Sequence, residues 1–432
     1  MTDTMATNTA DVEPVEDFRT RLRSWLQESV PRAEHPARAG VGQVVSDEVE
    51  LAAVQRSREL QKLFFDGGFA GICVPTAYGG AGLTPRHADV LNEEITGYEY
   101  PSRYQVPTMT PCMAVILEFG THEQKSKYIP RILDGSDIWM QMLSEPSGGS
   151  DVAGAQTSAV RDGDQWVLNG SKIWTTGAWW SDWALCLART NWDVPKHRGL
   201  SVFMVPFKAP GLEMHRIEML NGSKEFCQEF LTDVIVPDSD RIGEVDDGWT
   251  VGTRWMFHEK SLGISPHLIR PSGSGMELED AGAGANRSPM LALARQAGRI
   301  EDPVARDLVG ESQALNTASR FLNERIMRGI RAGKFNEQAP AISRVMGGMN
   351  NVRQMTISFE LAGPDAVAWA DEDRALGQRG VAFLGRQASC IGGGTTEMSR
   401  NVISERVLGM PRERTGDRDV PFREVPKAPP SR

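Results

Sequence analysis

The first candidate site lies in residues 141–190, where aromatic and hydroxyl side chains occur together. Trp174 is followed by Thr175 and Thr176, while Leu143 and Ser144 lie on an earlier predicted strand. An aromatic face beside a few hydrogen-bonding groups suits a flat heteroaromatic cofactor. Periodicity alone leaves a second interpretation open, in which these residues form the ordinary core of a β-sandwich.

A second candidate is Glu259, a carboxylate on a predicted helix that follows the β-rich region. It comes four residues after Trp255 and therefore lies on the same apolar stripe of the helix. Burial at such a seam raises the pKa of a carboxyl group, which suits a base that removes an activated proton. The alternative is a surface residue paired with Lys260 or Arg254. His258 is a further group that can titrate near neutrality.

The third candidate is a glycine-rich turn near the end of the chain, formed by residues 392–396. Gly393 and Gly394 leave backbone amides exposed, and Thr395 and Thr396 follow at the start of a predicted helix. Such amides suit an anion, for example a diphosphate. A plain turn into a helix explains the same residues.

Composition limits the class of protein that carries these groups. The 432 residues are enough for three domains of about 100–150 residues each. No apolar run has the length of a membrane span, and the acidic, polar N-terminus differs from a secretory signal, so the cytoplasm is the expected compartment. A net charge of -10 disfavours a nucleic-acid surface. The five cysteines are far apart with no C-x-x-C pair, which argues against a metal site or a disulfide framework and predicts buried thiols.

Hydrophobic periodicity predicts an α+β protein of three parts. Residues 15–137 read as an N-terminal α-helical bundle, with helices over 15–30, 45–67, 84–100 and 109–134. Residues 138–247 read as a central β-sandwich or barrel whose hairpins turn at residues 162–164 and 169–170. Residues 248–412 read as a C-terminal four-helix-type bundle with a polar excursion at 270–289. Residues 1–14 are predicted as a disordered leader and 413–432 as a tail with no core-forming pattern.

Two motifs in register resemble the middle domain of the acyl-CoA dehydrogenase family. Residues 145–151 read EPSGGSD and residues 169–176 read NGSKIWTT, which match the family's EP-x-x-GSD loop and its NG-x-K-x-W-T-T hairpin. The loop FAGICVPTAYGGAGLT, residues 69–84, is similar to the family loop that closes one side of the acyl cavity. It implies substrate contacts for Tyr78, Gly79 and Gly80.

The resemblance implies a flavin adenine dinucleotide (FAD) site and an acyl-CoA substrate. Ser144 and Thr176 would hydrogen-bond the flavin ring, Leu143 would contribute backbone contact and Trp174 would lie along the ring face. Ser150 would contact the cofactor or the CoA portion of the substrate. The implied reaction is α,β-dehydrogenation of an acyl-CoA thioester to the 2-enoyl-CoA, with electrons passing to an electron-transfer flavoprotein or a similar acceptor.

The position of the catalytic base separates branches of this family. Many members carry a glutamate in a terminal I-Y-E-G-T sequence, but Gly393 occupies that position here and cannot accept a proton. Other branches place the carboxylate on the helix after the β-domain, and Glu259 matches their spacing from Gly248-Trp249. We therefore predict Glu259 as the base.

Departures from the family pattern leave other functions open. The R-x-x-F-G segment, whose arginine reaches the cofactor phosphates of a neighbouring subunit, has no clear match, although Arg295 or Arg299 can replace it. The expected assembly is therefore a homodimer or homotetramer, or a mixed oligomer of two different chains (α2β2). A flavin-dependent oxidase or monooxygenase on the same scaffold, and a catalytically inactive partner subunit that binds acyl-CoA or FAD, are the alternative functions.

Overall fold

In a computed structural model of the protein, the described residues are 12–33, 45–262, 265–271, 288–368, 374–413 and 416–425. Residues 1–11 of the predicted leader, residues 272–287 of the predicted polar excursion and residues 426–432 of the predicted tail lie outside them. The statements below refer to the described part of the chain.

The N-terminal part is helical, as its 3–4 residue spacing predicts. Helices α1 (Val15–Ser29), α2 (Asp47–Asp66) and α3 (Pro85–Glu94) pack around a core that includes Phe18, Leu22 and Phe64, each 0% exposed. Each such side chain contributes about 1.5–3 kcal/mol by leaving water. The Ser46 hydroxyl accepts a hydrogen bond from the backbone N–H of Val49 at 3.3 Å and so fixes the start of α2.

The two long helices predicted over 84–100 and 109–134 were wrong in extent. Helix α3 ends at Glu94, and Gly97 has a left-handed φ of +82° that does not continue a helix. A short helix α4 (Ser102–Tyr104) is followed by an irregular segment over 105–113, in which Thr110 has an extended backbone. Helices α5 (Ala114–Phe119) and α6 (His122–Leu133) then follow.

The central part is one sheet of eight strands, seven of which follow a single path that divides into two halves. The strands are β1 (Trp139–Met142), β2 (Ser158–Asp162), β3 (Gln165–Thr176), β4 (Trp183–Arg189), β5 (Leu200–Pro206), β6 (Leu212–Ile217), β7 (Phe226–Pro237) and β8 (Arg241–Ile242). Their order is β6-β7-β3-β2-β4-β5-β8, with β1 beside β4. The halves meet through a single parallel pair between Ser158 of β2 and Arg189 of β4.

One of the two predicted hairpin turns is present. The turn at 162–164 joins β2 to β3, and Gly163 has the positive φ of +63° that such a turn requires. The turn predicted at 169–170 was wrong, because β3 continues through both residues and pairs with β7 on either side. Gly170 is needed there since a Cβ would lie 2.6 Å from Thr157 Cα. Long-range pairing therefore overrides the local Asn-Gly turn signal.

The C-terminal part is again helical. Its helices are α7 (Gly248–Lys260), α8 (Pro289–Gln296), α9 (Pro303–Arg331), α10 (Pro340–Ala362), α11 (Arg374–Gly385) and α12 (Thr396–Val402). Helices α8 to α11 share a small core with Leu293, Leu308 and Leu361. Helix α7 instead belongs to the large core of the sheet, to which it contributes Val251 and Trp255.

The expectation that the tail lacks core-forming residues was wrong for residues 416–425. Phe422 is 4% exposed and lies 3.7 Å from the guanidinium carbon of Arg189. Its N–H donates to the carbonyl of Val194 at 2.9 Å, and the N–H of Arg423 donates to Trp192 at 3.0 Å. This segment therefore packs against the end of β4 and the loop that follows it.

These elements confirm the predicted α+β class, with helices before and after a central sheet. All five cysteines are free thiols, of which Cys112, Cys186 and Cys227 are buried and Cys73 and Cys390 are partly exposed. Among the described residues, no helix has both the length and the hydropathy of a membrane span.

Candidate functional site

A buried ion pair joins the two sequence motifs of the central domain. Lys172 of β3 is 0% exposed, and its Nζ lies 2.8 Å from the carboxylate of Glu145, which follows β1. The lysine also donates to the carbonyls of Leu143 and Leu187. Burial alone raises the pKa of Glu145, but the charge of Lys172 and the hydrogen bonds more than offset it and the pKa is lowered. The pair therefore fixes the loop after β1 against β3.

This pair brings three of the predicted flavin contacts together at the end of β3. The N–H of Ile173 donates to the carbonyl of Ser144 at 3.0 Å, so residues 143–144 lie beside the end of β3. Leu143, Ser144 and Thr176 are partly exposed there. Their polar atoms can therefore reach a bound molecule, and their flavin contacts stay predictions.

Trp174 has an unusual backbone that explains its position. Its φ of +67° is rare for a bulky residue, and the β3–β7 register shifts between Ile173 and Thr175. Such a β-bulge changes the direction of the side chains around it. Trp174 is 49% exposed, whereas Thr175 is 1% exposed and points into the domain.

The Thr175 side chain therefore does not face the same side as Trp174. Its hydroxyl donates to Glu229 Oε2 of β7 at 2.8 Å. Contact of Thr175 with the cofactor stays a prediction, because its hydroxyl is committed to Glu229.

Glu259 lies near the end of α7, where that helix meets β1 and the irregular segment 105–113. It is half-buried, and burial raises the pKa of its carboxyl group, although Lys260 and the side chain of Gln141 lower it in part. Gln141 also accepts a hydrogen bond from Nε1 of the fully buried Trp255 at 2.6 Å. Burial and then the Glu259 charge raise the pKa of the Cys112 thiol, which is consistent with the two groups being close.

The alternative pairing of Glu259 with Arg254 is absent from the structure. Arg254 instead lies 2.7 Å from Glu118 of α5, and His258 Nε2 lies 2.9 Å from the same carboxylate. Burial raises the pKa of Glu118, but the contacts with Arg254 and His258 lower it by more, so its pKa is lowered overall. These contacts fix α7 to α5.

The glycine-rich turn lies against the residue next to Glu259. A Cβ at Gly394 would be 3.5 Å from Lys260 Cε and 3.7 Å from its Nζ. The guanidinium group of Arg344 donates to the carbonyls of Ser389 and Gly392, each at 2.7 Å. This places Gly394, the residue after the position that resembles the base site of other branches, beside the Glu259 helix.

Within that turn, the two threonines serve the helix that follows. Thr395 Oγ1 accepts a hydrogen bond from the N–H of Met398 at 3.0 Å, which caps α12, and Thr396 is buried. The structure therefore contains the plain turn into a helix. Cofactor contacts of Gly393, Gly394, Thr395 and Thr396 stay predictions.

The remaining predicted residues lie on other elements. Ser150 is exposed, next to Asp151, whose carboxylate pairs with Lys196 at 3.0 Å. The Tyr78 hydroxyl is 3.3 Å from His122 Nδ1 of α6. A Cβ at Gly80 would be 2.2 Å from the carbonyl oxygen of Val74.

Gly79 completes this group, because its Cβ would meet Phe65 and Pro130 at 3.8–3.9 Å. The neighbours of Tyr78, Gly79 and Gly80 named above therefore lie in the N-terminal helical part. Their substrate contacts stay predictions.

The two arginines proposed for the phosphates differ in availability. Arg299 pairs with Asp302 at 2.6 Å and donates to the carbonyl of Glu360 at 2.6 Å, so it caps the end of α10. Arg295 is exposed on α8. Of the two, Arg295 has the less constrained guanidinium group.

Gln141 and Glu229 were not identified from the sequence. Gln141 is the polar residue of the otherwise apolar strand WMQM, and Glu229 interrupts the strand FCQEFLTDVIVP. A polar residue at a position where the alternation predicts an apolar one was the available signal. The role of such a polar residue depends on which strand or helix packs against it, which the sequence does not show.

The residues present fit the ring of a flavin. A half-exposed indole, the partly exposed hydroxyls of Ser144 and Thr176 and the backbone of residues 143–144 together provide an aromatic surface with hydrogen-bonding groups at its edge. The bulge at Trp174 gives a structural reason for that exposure.

Comparison with known proteins identifies the family. Residues 15–136 match the family model of the acyl-CoA dehydrogenase N-terminal domain, and residues 141–234 match that of the middle domain. The chain is 29% identical over 415 residues to acyl-CoA dehydrogenase IpdE1 of Mycobacterium tuberculosis, covering 94% of this chain and 100% of that protein. It is 30% identical to the human mitochondrial short-chain specific acyl-CoA dehydrogenase, covering 67% of this chain and 73% of the human protein.

A solved structure agrees over nearly the whole length. The Tcur3481-Tcur3483 steroid ACAD superposes with a TM-score of 0.68 at 27% identity, covering 93% of this chain and 99% of that one. The shared domains, the two motifs in register and the helical, sheet and helical architecture lead to one conclusion. This chain belongs to the acyl-CoA dehydrogenase family.

Proposed function

We propose that this chain catalyses FAD-dependent α,β-dehydrogenation of an acyl-CoA thioester, with Glu259 as the base. The observation that carries the proposal is the half-buried Glu259 carboxyl group, which lies beside Gln141 at the junction of α7, β1 and the glycine-rich turn. Family membership supports the oxidoreductase class. The assignment of the individual residues rests on the geometry.

Glu259 removes the proton from the α-carbon of the thioester. Burial raises the pKa of its carboxyl group, which brings its proton affinity closer to that of an activated α-carbon. A bound flavin supplies the acceptor for the hydride that leaves the β-carbon. The two electrons of the Cα–H bond then form the double bond, and Glu259 holds the proton.

Gln141 and Trp255 position the base. The Trp255 indole N–H donates to the Gln141 oxygen, which leaves the amide N–H groups of Gln141 directed toward other acceptors, with Glu259 nearby. The fully buried Trp255 fills the space between α7 and β1 and keeps water away from one side of the carboxyl group. Ser144, Thr176 and Trp174 orient the ring at the end of β3.

We further propose a bulky acyl group and a mixed oligomer. The relative named a steroid ACAD supports a bulky substrate. A mixed oligomer is supported by Arg299, whose guanidinium group is committed to contacts within the chain. A partner chain would then supply the phosphate contacts that Arg299 does not make.

Anaerobic reduction with acyl-CoA tests the proposed reaction. A straight-chain and a steroid-derived thioester are added separately to the yellow holoprotein, with its partner chain where one copurifies, and loss of flavin absorbance is followed. Glu259→Gln is expected to keep the yellow colour and slow bleaching by about a thousandfold, because the amide cannot accept the proton. The control Glu48→Gln, an exposed carboxylate on α2, is expected to bleach at the wild-type rate.

The outcomes separate the proposed function from its alternatives. Bleaching that persists after air is admitted supports a dehydrogenase, whereas rapid return of the colour in air supports an oxidase or monooxygenase. No bleaching with either thioester, in a protein that retains FAD, supports an inactive partner subunit. Wild-type bleaching by Glu259→Gln would contradict the assignment of the base.

A further inference from the structure

Another buried carboxyl group, Glu229, lies behind the predicted flavin contacts Trp174 and Thr176 and has no part in the reaction above. It is 0% exposed on β7. Its Oε2 accepts the hydrogen bond from the Thr175 hydroxyl, while its Oε1 is buried without a hydrogen-bond partner among the described residues. A buried polar atom without a hydrogen-bond partner destabilises the folded state, so its presence suggests a functional role.

The groups around Glu229 do not neutralise it. On β3, Lys172 is committed to Glu145 and two carbonyls. On β6, Arg216 pairs with Asp47 at 2.7 Å and lies over the Trp179 ring.

The other titratable neighbours are Cys227 of β7 and Cys186 of β4, whose thiols burial keeps neutral by raising each pKa to about 11. Burial likewise raises the pKa of Glu229 to about 7, although the Thr175 hydroxyl, the backbone N–H of Glu229 and Lys172 oppose the shift. The group therefore changes charge within the physiological pH range.

Glu229 acts on Trp174 and Thr176 through the bulge in β3. Its carboxyl group holds the Thr175 side chain inward, and Thr175 lies between Trp174 and Thr176 in the strand. With Thr175 held inward, the left-handed φ of Trp174 turns the indole outward. Ionisation places an unpaired charge on the enclosed Oε1, which favours openings of the bulge that admit water.

We propose that Glu229 is a positioning residue of the flavin site, which holds Trp174 and Thr176 in place through Thr175 and releases them when it ionises. This inference rests on the proposed function, because it needs the flavin to bind at the end of β3. It predicts that the protein binds FAD more tightly below neutral pH than above it.

The test is the dissociation constant of FAD, measured by recovery of flavin fluorescence between pH 6 and pH 8.5. For the wild type the constant is expected to rise by about tenfold as Glu229 loses its proton. For Glu229→Gln, whose amide oxygen can still accept from Thr175, the constant is expected to stay nearly independent of pH. The same pH series without FAD, followed by thermal unfolding, reports the ionisation itself.

A matched pair of variants tests the hydrogen bond separately. Thr175→Val removes the hydroxyl and is expected to weaken FAD binding by about tenfold at pH 6, whereas Thr175→Ser keeps it and is expected to bind as the wild type does. Equal binding by the two variants would overturn the inference. So would a Glu229→Gln protein with the wild-type pH profile, and neither result would affect the proposed reaction. Failure of the wild type to bind FAD at any pH, with its partner chain present, would overturn both proposals.

Discussion

The central sheet and the C-terminal helices solve the problem of polar groups inside a protein in opposite ways. The sheet encloses full charges, among them Lys172 and Arg189, each 0% exposed, and surrounds them with apolar strands. Arg189 donates to the carbonyls of Ala153 at 2.6 Å and Ala155 at 2.9 Å. The cost of enclosing its charge is thus offset within one chain.

The seam between α9 and α10 is instead lined with neutral polar side chains. Ser312 donates to Gln354, Gln354 donates to Asn350 at 3.0 Å, and Asn350 donates to Asn316 at 2.9 Å. Large apolar residues on these and nearby helices point outward: Phe321, Met327, Phe335, Met349 and Met398 are each exposed by 37% or more. Only five residues of the long α9 are buried, and two of them are serines.

The difference indicates where each region obtains its stability. The sheet has a continuous apolar core that α7 and residues 104–140 complete. The C-terminal helices have a small core and expose apolar faces, which is typical of helices that bury surface against another chain. We therefore expect the sheet to be stable within one protomer and the C-terminal helices to depend on assembly.

The largest expected effect comes from removing the charge of Lys172. Lys172→Met leaves Glu145 enclosed without its cation, and we expect a loss of about 3–5 kcal/mol in the free energy of unfolding. Lys62→Met is the control, since the Lys62–Asp66 pair is exposed on α2 and its loss is expected to cost less than about 0.5 kcal/mol. Chemical denaturation, followed by fluorescence, measures both. Similar costs for the two variants would remove the distinction between an enclosed and an exposed charge.

A smaller effect of opposite sign is expected from Glu229→Gln. Because burial raises the pKa of Glu229 from its ordinary 4.5 to about 7, the carboxylate destabilises the folded state increasingly as the pH rises from 4.5 through 7. The variant should therefore be more stable than the wild type by up to about 3 kcal/mol at pH 8.5 and nearly equal to it at pH 4.5. Denaturation curves at the two pH values measure the difference. A stabilisation independent of pH would show that ionisation is not its cause.

The smallest effect on the protomer is expected from Phe321→Ser on α9. Phe321 is 56% exposed, so the substitution should change the stability of the isolated protomer by less than about 0.5 kcal/mol. Sedimentation should nevertheless show a shift toward smaller species, because the exposed ring faces another chain in the expected assembly. Val160→Ser, an equally exposed apolar residue on β2, is the control and should leave the assembly unchanged. An unchanged assembly in both variants would argue that the apolar faces of α9 are not an interface.

The sequence predicted the fold where the pattern was long and locally consistent. The spacing of Phe18, Leu22 and Leu26 placed α1 almost to the residue, and two motifs in register identified the central domain. It failed where distant pairing decides the conformation. Asn169-Gly170 has the composition of a hairpin turn, yet β7 pairs on both sides of it.

The candidate site was predicted only in part, again because contacts between distant parts of the chain decide its geometry. The helical period predicted that Glu259 lies on the same stripe as Trp255. Gln141 contacts both residues, but almost the whole sequence of the sheet separates it from them along the chain. The inward orientation of the Thr175 side chain depends on a β-bulge that no local sequence pattern predicts. Neither contact follows from the spacing of residues along the chain.

The tail contact described above has a consequence for synthesis of the protein. Arg189 leaves the ribosome long before Phe422, the ring that lies over its guanidinium group. A sheet that forms during translation therefore carries this cation without its aromatic cover until Phe422 is made. Variants truncated before residue 421 should accordingly show increased protease cleavage near Trp192 and Val194, whose carbonyls lose their partners from the tail.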